Sequence, residues 1–337
     1  MTIRTRRRRR APALGAGLLS LSLAGCGAVV GVTDAPTAAV GGAVQRGQAQ
    51  AIATQTIGRA VAAYGAPGLE GDTLRRAAFT GDALEAAQAD ARLESKSQPA
   101  QRQAPADARA LTSAAPVVLA VSRGLAYPRS LVVQTTRAKS GLPVLSLLTT
   151  PDVRTPYRVA ASTTMLPSAV VPAVDPVSDG SPPLGDGSGL AVKPAALTAM
   201  YAASLDFPAG KPAPAGTVSP DAFAAGVTSS AQAQNAALKG VGTFSEQRQP
   251  RNVAGGLRVA DGKGALVFSA IDRADTFLKP GPGTIVPMAS FTALTGLTSV
   301  TAEARLKTLE MVTFFVPASG PAVVVAAQEH LVGASGA

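Results

Sequence analysis

Cysteine, histidine and tryptophan are almost missing from this chain of 337 residues. It has one cysteine, Cys26, one histidine, His330, and no tryptophan, and aromatic residues make up only 4%. A single thiol cannot close an internal disulfide, and a zinc site of the usual kind needs several cysteine or histidine ligands. The composition therefore excludes a disulfide framework and an ordinary zinc site. Because hydrophobic residues still make up 46%, we expect a core of valine, leucine, isoleucine and alanine side chains.

Motifs for covalent catalysis are scarce as well. A serine or cysteine hydrolase needs a base that takes the proton from its nucleophile, and His330 is the only imidazole in the chain. Serines are abundant, but none lies in the Gly-x-Ser-x-Gly turn that exposes such a nucleophile. We therefore interpret His330 as an ordinary strand or surface histidine, and the sequence does not favour an enzyme.

Three further patterns have a simple structural interpretation. Asp272 and Asp275 are near each other, as an acid-base pair would be, but Arg273 between them indicates a solvated charge cluster. Gly262-Lys263-Gly264 lacks the later glycine and the strand-loop-helix setting of a dinucleotide loop, so it predicts a hairpin turn. The Asp-Gly pairs of residues 175–189 lack the alternating ligands and terminal glutamate of a helix-loop-helix calcium site. We expect no cofactor and no metal.

The net charge of the chain is also small once the first 25 residues are left out. The chain has 31 lysines and arginines against 21 acidic residues, a net charge of +10. Residues 1–25 hold six arginines and no acidic residue, so the remainder has 25 basic and 21 acidic residues, or +4. Its basic residues are scattered, without the interleaved aromatics of a nucleic-acid-binding surface. We therefore expect no nucleic acid as a partner.

The beginning of the chain has the three parts of an export signal. Arginines at Arg4 and residues 6–10 precede an apolar run over residues 11–23, and small residues lead up to Cys26. The apolar run is shorter than the ~20 residues that a membrane-spanning helix needs. The segment Leu23-Ala24-Gly25-Cys26 resembles the lipobox of bacterial lipoproteins. The resemblance implies that residues 1–25 are a cleaved signal peptide and that Cys26 is acylated on its thiol and its new N-terminus.

This lipid implies a location and a first partner. Two or three acyl chains, such as palmitate, on one residue bind a bilayer stably, at ~0.8 kcal/mol per buried methylene. The mature chain is therefore expected on the outer face of the cell membrane, anchored through Cys26. The export route, general secretory or twin-arginine, stays open because Ala11, Pro12 and Ala13 fill the positions after the arginines.

Helical and strand patterns follow in order along the first half. Residues 26–48 are rich in glycine, alanine and threonine and predict a flexible tether. Apolar residues at helical spacing then predict helices over residues 50–64 and 82–95. Runs of β-branched and apolar residues, divided by turn residues, predict four strands, at residues 116–121, 131–136, 142–148 and 157–164. Residues 137–141 are the expected hairpin connection between the second and third.

The order of helices followed by strands is repeated after residues 175–192. This segment is rich in proline, glycine, serine and aspartate, has almost nothing to bury, and predicts a solvated linker. A helix is expected over residues 194–205, and Ser219-Pro220-Asp221 predicts the start of another, with serine as the cap. The remaining strands are expected at residues 256–260, 265–278, 306–316 and 322–332.

The two halves have a similar plan. The hairpin of residues 131–148 can be laid over residues 311–326, and each half has helices followed by antiparallel strands. We therefore expect an α+β protein with two similar domains, residues 49–174 and 193–337, each with N-terminal helices packed on a curved antiparallel sheet. Two unrelated α+β domains, or one large one, are the alternatives. The plan resembles the cone-shaped fold of the nuclear transport factor 2 and cystatin-like superfamily, and the mature chain is similar to uncharacterised lipoproteins of high-GC Gram-positive bacteria.

This resemblance implies a binding role without catalysis. Domains of that superfamily often have an apolar hollow between helix and sheet, which implies binding of a lipid, a peptide or another small apolar or envelope component. An interaction module that positions an envelope protein is the first alternative, and a hydrolase is the second. The ligand, the partner and the oligomeric state stay open.

Overall fold

The computed structural model describes residues 41–96, 115–137, 140–259 and 262–337. Cys26, the predicted signal peptide of residues 1–25 and most of the predicted tether lie outside these described residues. The first helix begins at Arg46, before the predicted end of the tether at residue 48.

Helices precede the strands in each half, and one more helix lies between two later strands. The helices are α1 (Arg46–Gly65), α2 (Gly68–Ala78), α3 (Gly81–Lys96), α4 (Pro194–Ser204), α5 (Ala222–Ala237) and α6 (Ala289–Thr295). The strands are β1 (Val117–Val121), β2 (Arg129–Thr136), β3 (Pro143–Thr150), β4 (Arg158–Met165), β5 (Thr243–Val259), β6 (Gly264–Leu278), β7 (Glu303–Pro317) and β8 (Val323–Gly336).

Local sequence explains where the helices of the second half begin. α4 begins at Pro194, whose missing N–H is no loss in the first helical turn. α5 is capped by Asp221, whose carboxylate accepts a hydrogen bond from the backbone N–H of Ala224 at 2.8 Å. The cap is therefore Asp221 and not Ser219, because the aspartate oxygen is the one that reaches the free amides.

All eight strands lie in one curled antiparallel sheet with the order β1-β2-β3-β4-β8-β7-β6-β5. The two groups of four meet at β4 and β8, where Thr164 pairs with Ala327 and Met165 with Ala326. The predicted α+β class is confirmed. Two similar domains are not confirmed, because the strands of both halves share one sheet, and the bounds at residues 49–174 and 193–337 stay a prediction.

The strand order also changes the expected match between the halves. Each group of four begins at an edge of the sheet and ends at its centre. β2 and β3 therefore occupy positions equivalent to β6 and β7. The predicted match of residues 131–148 with residues 311–326 instead sets β2 and β3 against β7 and β8, one strand further along.

The sheet buries a different cluster of side chains on each face. Successive residues of a strand point to opposite faces, and in β6 Leu266 and Phe268 belong to one cluster while Val267 and Ile271 belong to the other. The first cluster joins α1–α3 to side chains from all eight strands. The second lies between α4, α5 and strands β6–β8. The core is mainly aliphatic, as expected, but four phenylalanines are among its largest fully buried side chains, Phe79, Phe268, Phe291 and Phe314.

Residues 175–192, predicted as a solvated linker, join the two edges of the sheet. At the β1 edge, the N–H of Ser181 donates a hydrogen bond to the carbonyl of Val121 at 2.7 Å. At the β5 edge, the N–H of Arg258 donates to the carbonyl of Pro182 at 2.8 Å. This segment therefore uses the free backbone groups that edge strands otherwise expose.

The same segment is partly buried. Ser181 is completely buried, and Val177 and Leu184 are nearly so. The prediction that it has nothing to bury is wrong because backbone pairing with two distant strands, and not side-chain hydrophobicity, holds it against the sheet.

Replacing Gly180 by alanine is expected to weaken the contact of residues 175–192 with the edges of the sheet and to lower the free energy of unfolding by about 3 kcal/mol. Gly180 has a φ of +66°, and a Cβ there would lie 2.7 Å from the Cα of Gly42 and 3.0 Å from the Cα of Arg123. Gly185→Ala is the matched control, because its φ of +62° imposes the same left-handed conformation in open space. Chemical denaturation compares the two variants. Equal losses would contradict the close approach at Gly180.

Candidate functional site

A cleft of about 470 Å³ lies between α5 and the face of the sheet that carries the second core cluster. We call it the α5 cleft. Phe223, Gly226 and Val227 of α5 contribute to one wall. The opposite side comes from β5–β8 and includes the charged residues Glu246 and Asp275. The lining therefore combines apolar with ionisable side chains.

A partly buried hydrogen bond helps to position α5 over this cleft. The hydroxyl of Tyr201, in α4, lies 3.1 Å from a carboxylate oxygen of Asp221 and donates to it. Burial raises the pKa of the Tyr201 hydroxyl, so it keeps the proton that it donates. Because Asp221 is also the cap of α5, its carboxylate connects the first turn of α5 to α4.

Strand register assembles the charged side of the cleft. Glu246 and Arg248 are two residues apart in β5, and Arg273 and Asp275 are two residues apart in β6, so each pair points to one face of the sheet. Glu246 is opposite Asp275, and Arg248 is opposite Arg273. Directly opposed side chains on neighbouring strands lie close together. The four charges therefore form one patch.

Glu310 of β7 is the centre of this patch. It is completely buried and is opposite Glu329 of β8. Arg248 donates hydrogen bonds to its two carboxylate oxygens from Nε and Nη2, both at 3.1 Å, and a further one to the carbonyl of Leu205. Arg273 donates from Nη1 to Glu310 at 2.9 Å and also to Glu329. Hydrogen bonds between ionised groups of this kind are among the stronger ones in proteins.

Asp275 and Glu246 are less completely paired. Asp275 Oδ1 lies 2.9 Å from Arg273 Nε, and Glu246 Oε2 lies 3.0 Å from Arg248 Nη2. Neither contact has the alignment of a hydrogen bond, and neither oxygen has another hydrogen-bond partner among the described residues. Only 3% of Asp275 and 2% of Glu246 is exposed. Since buried polar atoms are normally hydrogen-bonded, these two oxygens have unused capacity to accept a donor.

Carboxylates outnumber guanidinium groups in the patch. The two arginines face four acidic residues, which are Glu246, Asp275, Glu310 and Glu329. Burial raises the pKa of Glu310. Burial also raises the pKa of Asp275 to about 6; the charge of Arg273 opposes this shift and that of Glu246 adds to it. Asp275 therefore changes its charge near pH 6, well above the usual range of an aspartate.

His330 lies in β8, as the strand interpretation expects, but it is buried and not on the surface. Its Nδ1 is 3.0 Å from Oδ2 of Asp90. The contact joins β8 to α3, which gives the imidazole a structural role between a strand and a helix.

Asp272 and Asp275 do not form an acid-base pair. They are three residues apart in one strand, so their side chains point to opposite faces. Asp272 Oδ2 accepts a hydrogen bond from Arg251 at 3.2 Å, whereas Asp275 lies in the α5 cleft. The interpretation of this stretch as a solvated charge cluster is also wrong for Arg273 and Asp275, because only 13% and 5% of their side chains are exposed.

The predicted turns are confirmed where they are described. The N–H of Gly262 donates to the carbonyl of Val259 at 3.1 Å and helps to connect β5 with β6. Between β2 and β3, the N–H of Gly141 donates to the carbonyl of Arg137 at 3.0 Å. The residues between Arg137 and Ser140, and residues 260–261, lie outside the described part.

Sequence reasoning misses most of the charged patch. Arg273 and Asp275 are noticed, but Glu246, Arg248 and Glu310 are not. The available signal is the spacing of two in Glu246-x-Arg248 and in Arg273-x-Asp275, which places each pair on one face of a strand. It goes unused because the first part of β5 is too polar to be predicted as a strand.

Two kinds of feature are absent from the described residues. Within them, no group of three or more histidine, cysteine, aspartate or glutamate side chains could hold a metal ion. None of the helices in this part of the chain combines the length and apolar character that crossing a bilayer requires.

The chain has no significant match among protein-family models, curated proteins or solved structures.

Proposed function

We propose that this protein is an exported lipoprotein, anchored on the outer face of the cell membrane through acylated Cys26, and that its folded part binds a small ligand in the α5 cleft. The anchor is supported by the order of a basic segment, an apolar segment and small residues before Cys26. The relation to the lipoproteins of high-GC Gram-positive bacteria is part of this proposal.

The α5 cleft is the observation that carries the binding role. Its volume of about 470 Å³ falls within the ~300–1,000 Å³ that is usual for small-ligand sites. Such sites combine apolar walls with a few polar groups that orient the ligand. Here Phe223 and Val227 supply apolar surface, and Asp275 and Glu246 supply the polar groups.

We also propose that the two halves are related by duplication, as the resemblance to a cone-shaped superfamily suggests. Both halves begin with helices, and both place four antiparallel strands from an edge to the centre of the sheet. α6 is an addition to the second half, because no helix lies between the strands of the first half in its described part.

A bound small molecule is expected in protein purified from its native membrane. Mass spectrometry of an organic extract should detect the same compound in repeated preparations. An empty extract together with a stoichiometric protein partner would overturn the binding role and favour the interaction module.

Replacing Gly226 by phenylalanine is expected to prevent this compound from binding in the α5 cleft. A Cβ at Gly226 meets no atom within 4 Å, so the larger ring can enter the cleft without a clash in the helix. Replacing a glycine inside a helix should also preserve or slightly raise stability, by up to ~1 kcal/mol. Gly58→Phe is the matched control, since Gly58 lies in α1 with the same open space and outside the cleft. Retention of the compound in Gly226→Phe would place it elsewhere.

A further inference from the structure

We propose that the α5 cleft selects a ligand with a cationic group, an amine or a guanidinium, which pairs with Asp275 and Glu246 while the apolar part of the ligand lies against α5. This inference rests on the proposed function and names the chemical class of its ligand.

The first argument is the distribution of hydrogen-bond donors. Arg248 uses Nε, Nη1 and Nη2 on Glu310 and on the carbonyl of Leu205. Arg273 uses Nη1 on Glu310 and Glu329. The aligned donors of the two arginines are therefore directed to Glu310, Glu329 and Leu205, and Glu246 Oε2, Asp275 Oδ1 and the Nε of Arg273 are left without an aligned partner among the described residues.

The two acidic residues that carry these oxygens line the cleft. Glu246 and Asp275 both line it, and Glu246 Oε2 and Asp275 Oδ1 have no hydrogen-bond partner among the described residues. An ammonium group has three donors and no acceptor, and a guanidinium has five donors and no acceptor. Either group can donate to the carboxylates of Glu246 and Asp275 and adds no acceptor of its own.

The second argument is the charge balance. With all groups ionised, two arginines face four carboxylates, an excess of two negative charges in a largely buried patch. One cationic group lowers that excess, whereas a carboxylate or phosphate increases it. Opposite charges a few ångströms apart attract strongly where water is largely excluded, so the patch discriminates against anionic ligands.

The apolar part of the ligand has a matching surface. Phe223 and Val227 of α5 line the cleft together with Leu306 and Leu331 of the sheet. Burial of apolar surface contributes ~25 cal/mol per Å², while the acids determine the orientation. The expected ligand is therefore amphiphilic, with its positive end at β5 and β6.

Three aryl probes of similar shape test this chemistry on the full-length protein: 2-phenylethylamine, 2-phenylethanol and 3-phenylpropanoate. Dissociation constants from ligand-observed NMR at pH 7 are expected to be at least tenfold lower for the amine than for the alcohol, with no binding of the carboxylate. Asp275→Asn should weaken amine binding at least tenfold and weaken alcohol binding much less, because the alcohol carries no charge. Glu246→Gln is the second variant and should weaken the amine in the same way.

Asp272→Asn is the matched control, because it removes an acid from the same strand on the opposite face. It should leave amine binding unchanged. Thermal unfolding of each variant without ligand confirms that it is folded. An amine that binds no tighter than the alcohol, or that binds Asp275→Asn and Glu246→Gln as it binds the wild type, would overturn the inference.

Amine binding should also depend on pH. Asp275 is faced by Arg273, Arg248, Glu246 and Glu310, and it must be ionised to pair with the amine. With a pKa of about 6, affinity should fall about tenfold from pH 7 to pH 5. Asp275→Asn should abolish this dependence. A wild-type affinity that does not change over this range would contradict the role of Asp275.

Gly226→Phe distinguishes failure of this inference from failure of the proposed function. If all three probes bind equally and Gly226→Phe abolishes their binding, the cleft is a ligand site and only the preference for a cation is wrong. If no probe binds and the native extract is empty, the binding role itself is wrong.

Discussion

Replacing Arg248 by alanine is expected to lower the free energy of unfolding by about 4 kcal/mol. The side chains of Arg248 and Glu310 are both fully buried and lie 3.1 Å apart. Arg248 is also close to Glu246 and donates to the carbonyl of Leu205. Without its guanidinium, buried Glu246 loses the arginine with which it pairs and buried Glu310 loses one of its two, and a buried charge that loses its partner is among the most costly changes in a folded protein. Equilibrium unfolding in urea measures the loss.

Two further variants identify the cause of that loss. Arg305→Ala removes an arginine whose side chain is 63% exposed and pairs with Glu303, so a loss below ~1 kcal/mol is expected. The double variant Arg248→Met/Glu310→Leu removes both charges and should be less destabilised than Arg248→Ala, because no buried carboxylate is left at position 310. A loss in Arg248→Ala no larger than in Arg305→Ala would contradict the buried network.

Replacing Cys26 by alanine is expected to abolish acylation and to lower membrane retention of the protein at least tenfold. Each acyl chain contributes ~0.8 kcal/mol per buried methylene, so the lipid on one sulfur and one amine outweighs any weak surface attraction of the folded part. Fractionation of the native host, followed by detection of the protein in membrane and soluble fractions, measures the change. Intact mass should show acyl groups on a wild-type chain that begins at Cys26.

Ser22→Ala is the control, because it changes a small residue near the same segment and keeps the sulfur. It should retain both the lipid and the membrane location. Unchanged retention of Cys26→Ala, or an unmodified thiol on a wild-type chain that still carries its arginines, would refute the anchor.

Local patterns predict much of the fold. In the first half, all four strands are predicted with ends within two residues of those observed. Their alternating β-branched residues and intervening turns act over short distances along the chain, so the pattern is visible in the sequence. β5 is different, because it begins at Thr243 whereas the prediction begins at residue 256. Its first part is polar, and pairing with β6 over its whole length makes it a strand.

The candidate site is harder to predict than the strands around it. Arg273 and Asp275 attract notice in the sequence, but their partners Arg248 and Glu310 come from other strands. A shift of one residue in either pairing would turn the partners to the opposite face of the sheet. The site is therefore a property of register, which local sequence does not specify.

The order of residues is enough to establish a mixed α+β chain, most of its helices and strands, and the hairpin turns, because each of these depends on neighbours a few positions away. The three-dimensional arrangement adds the single sheet, the use of residues 175–192 to join its edges, and the collection of six charges on one face of the sheet. These features depend on contacts between distant segments. Their backbone partners and buried charges are set by how the sheet curls and by which strands lie side by side.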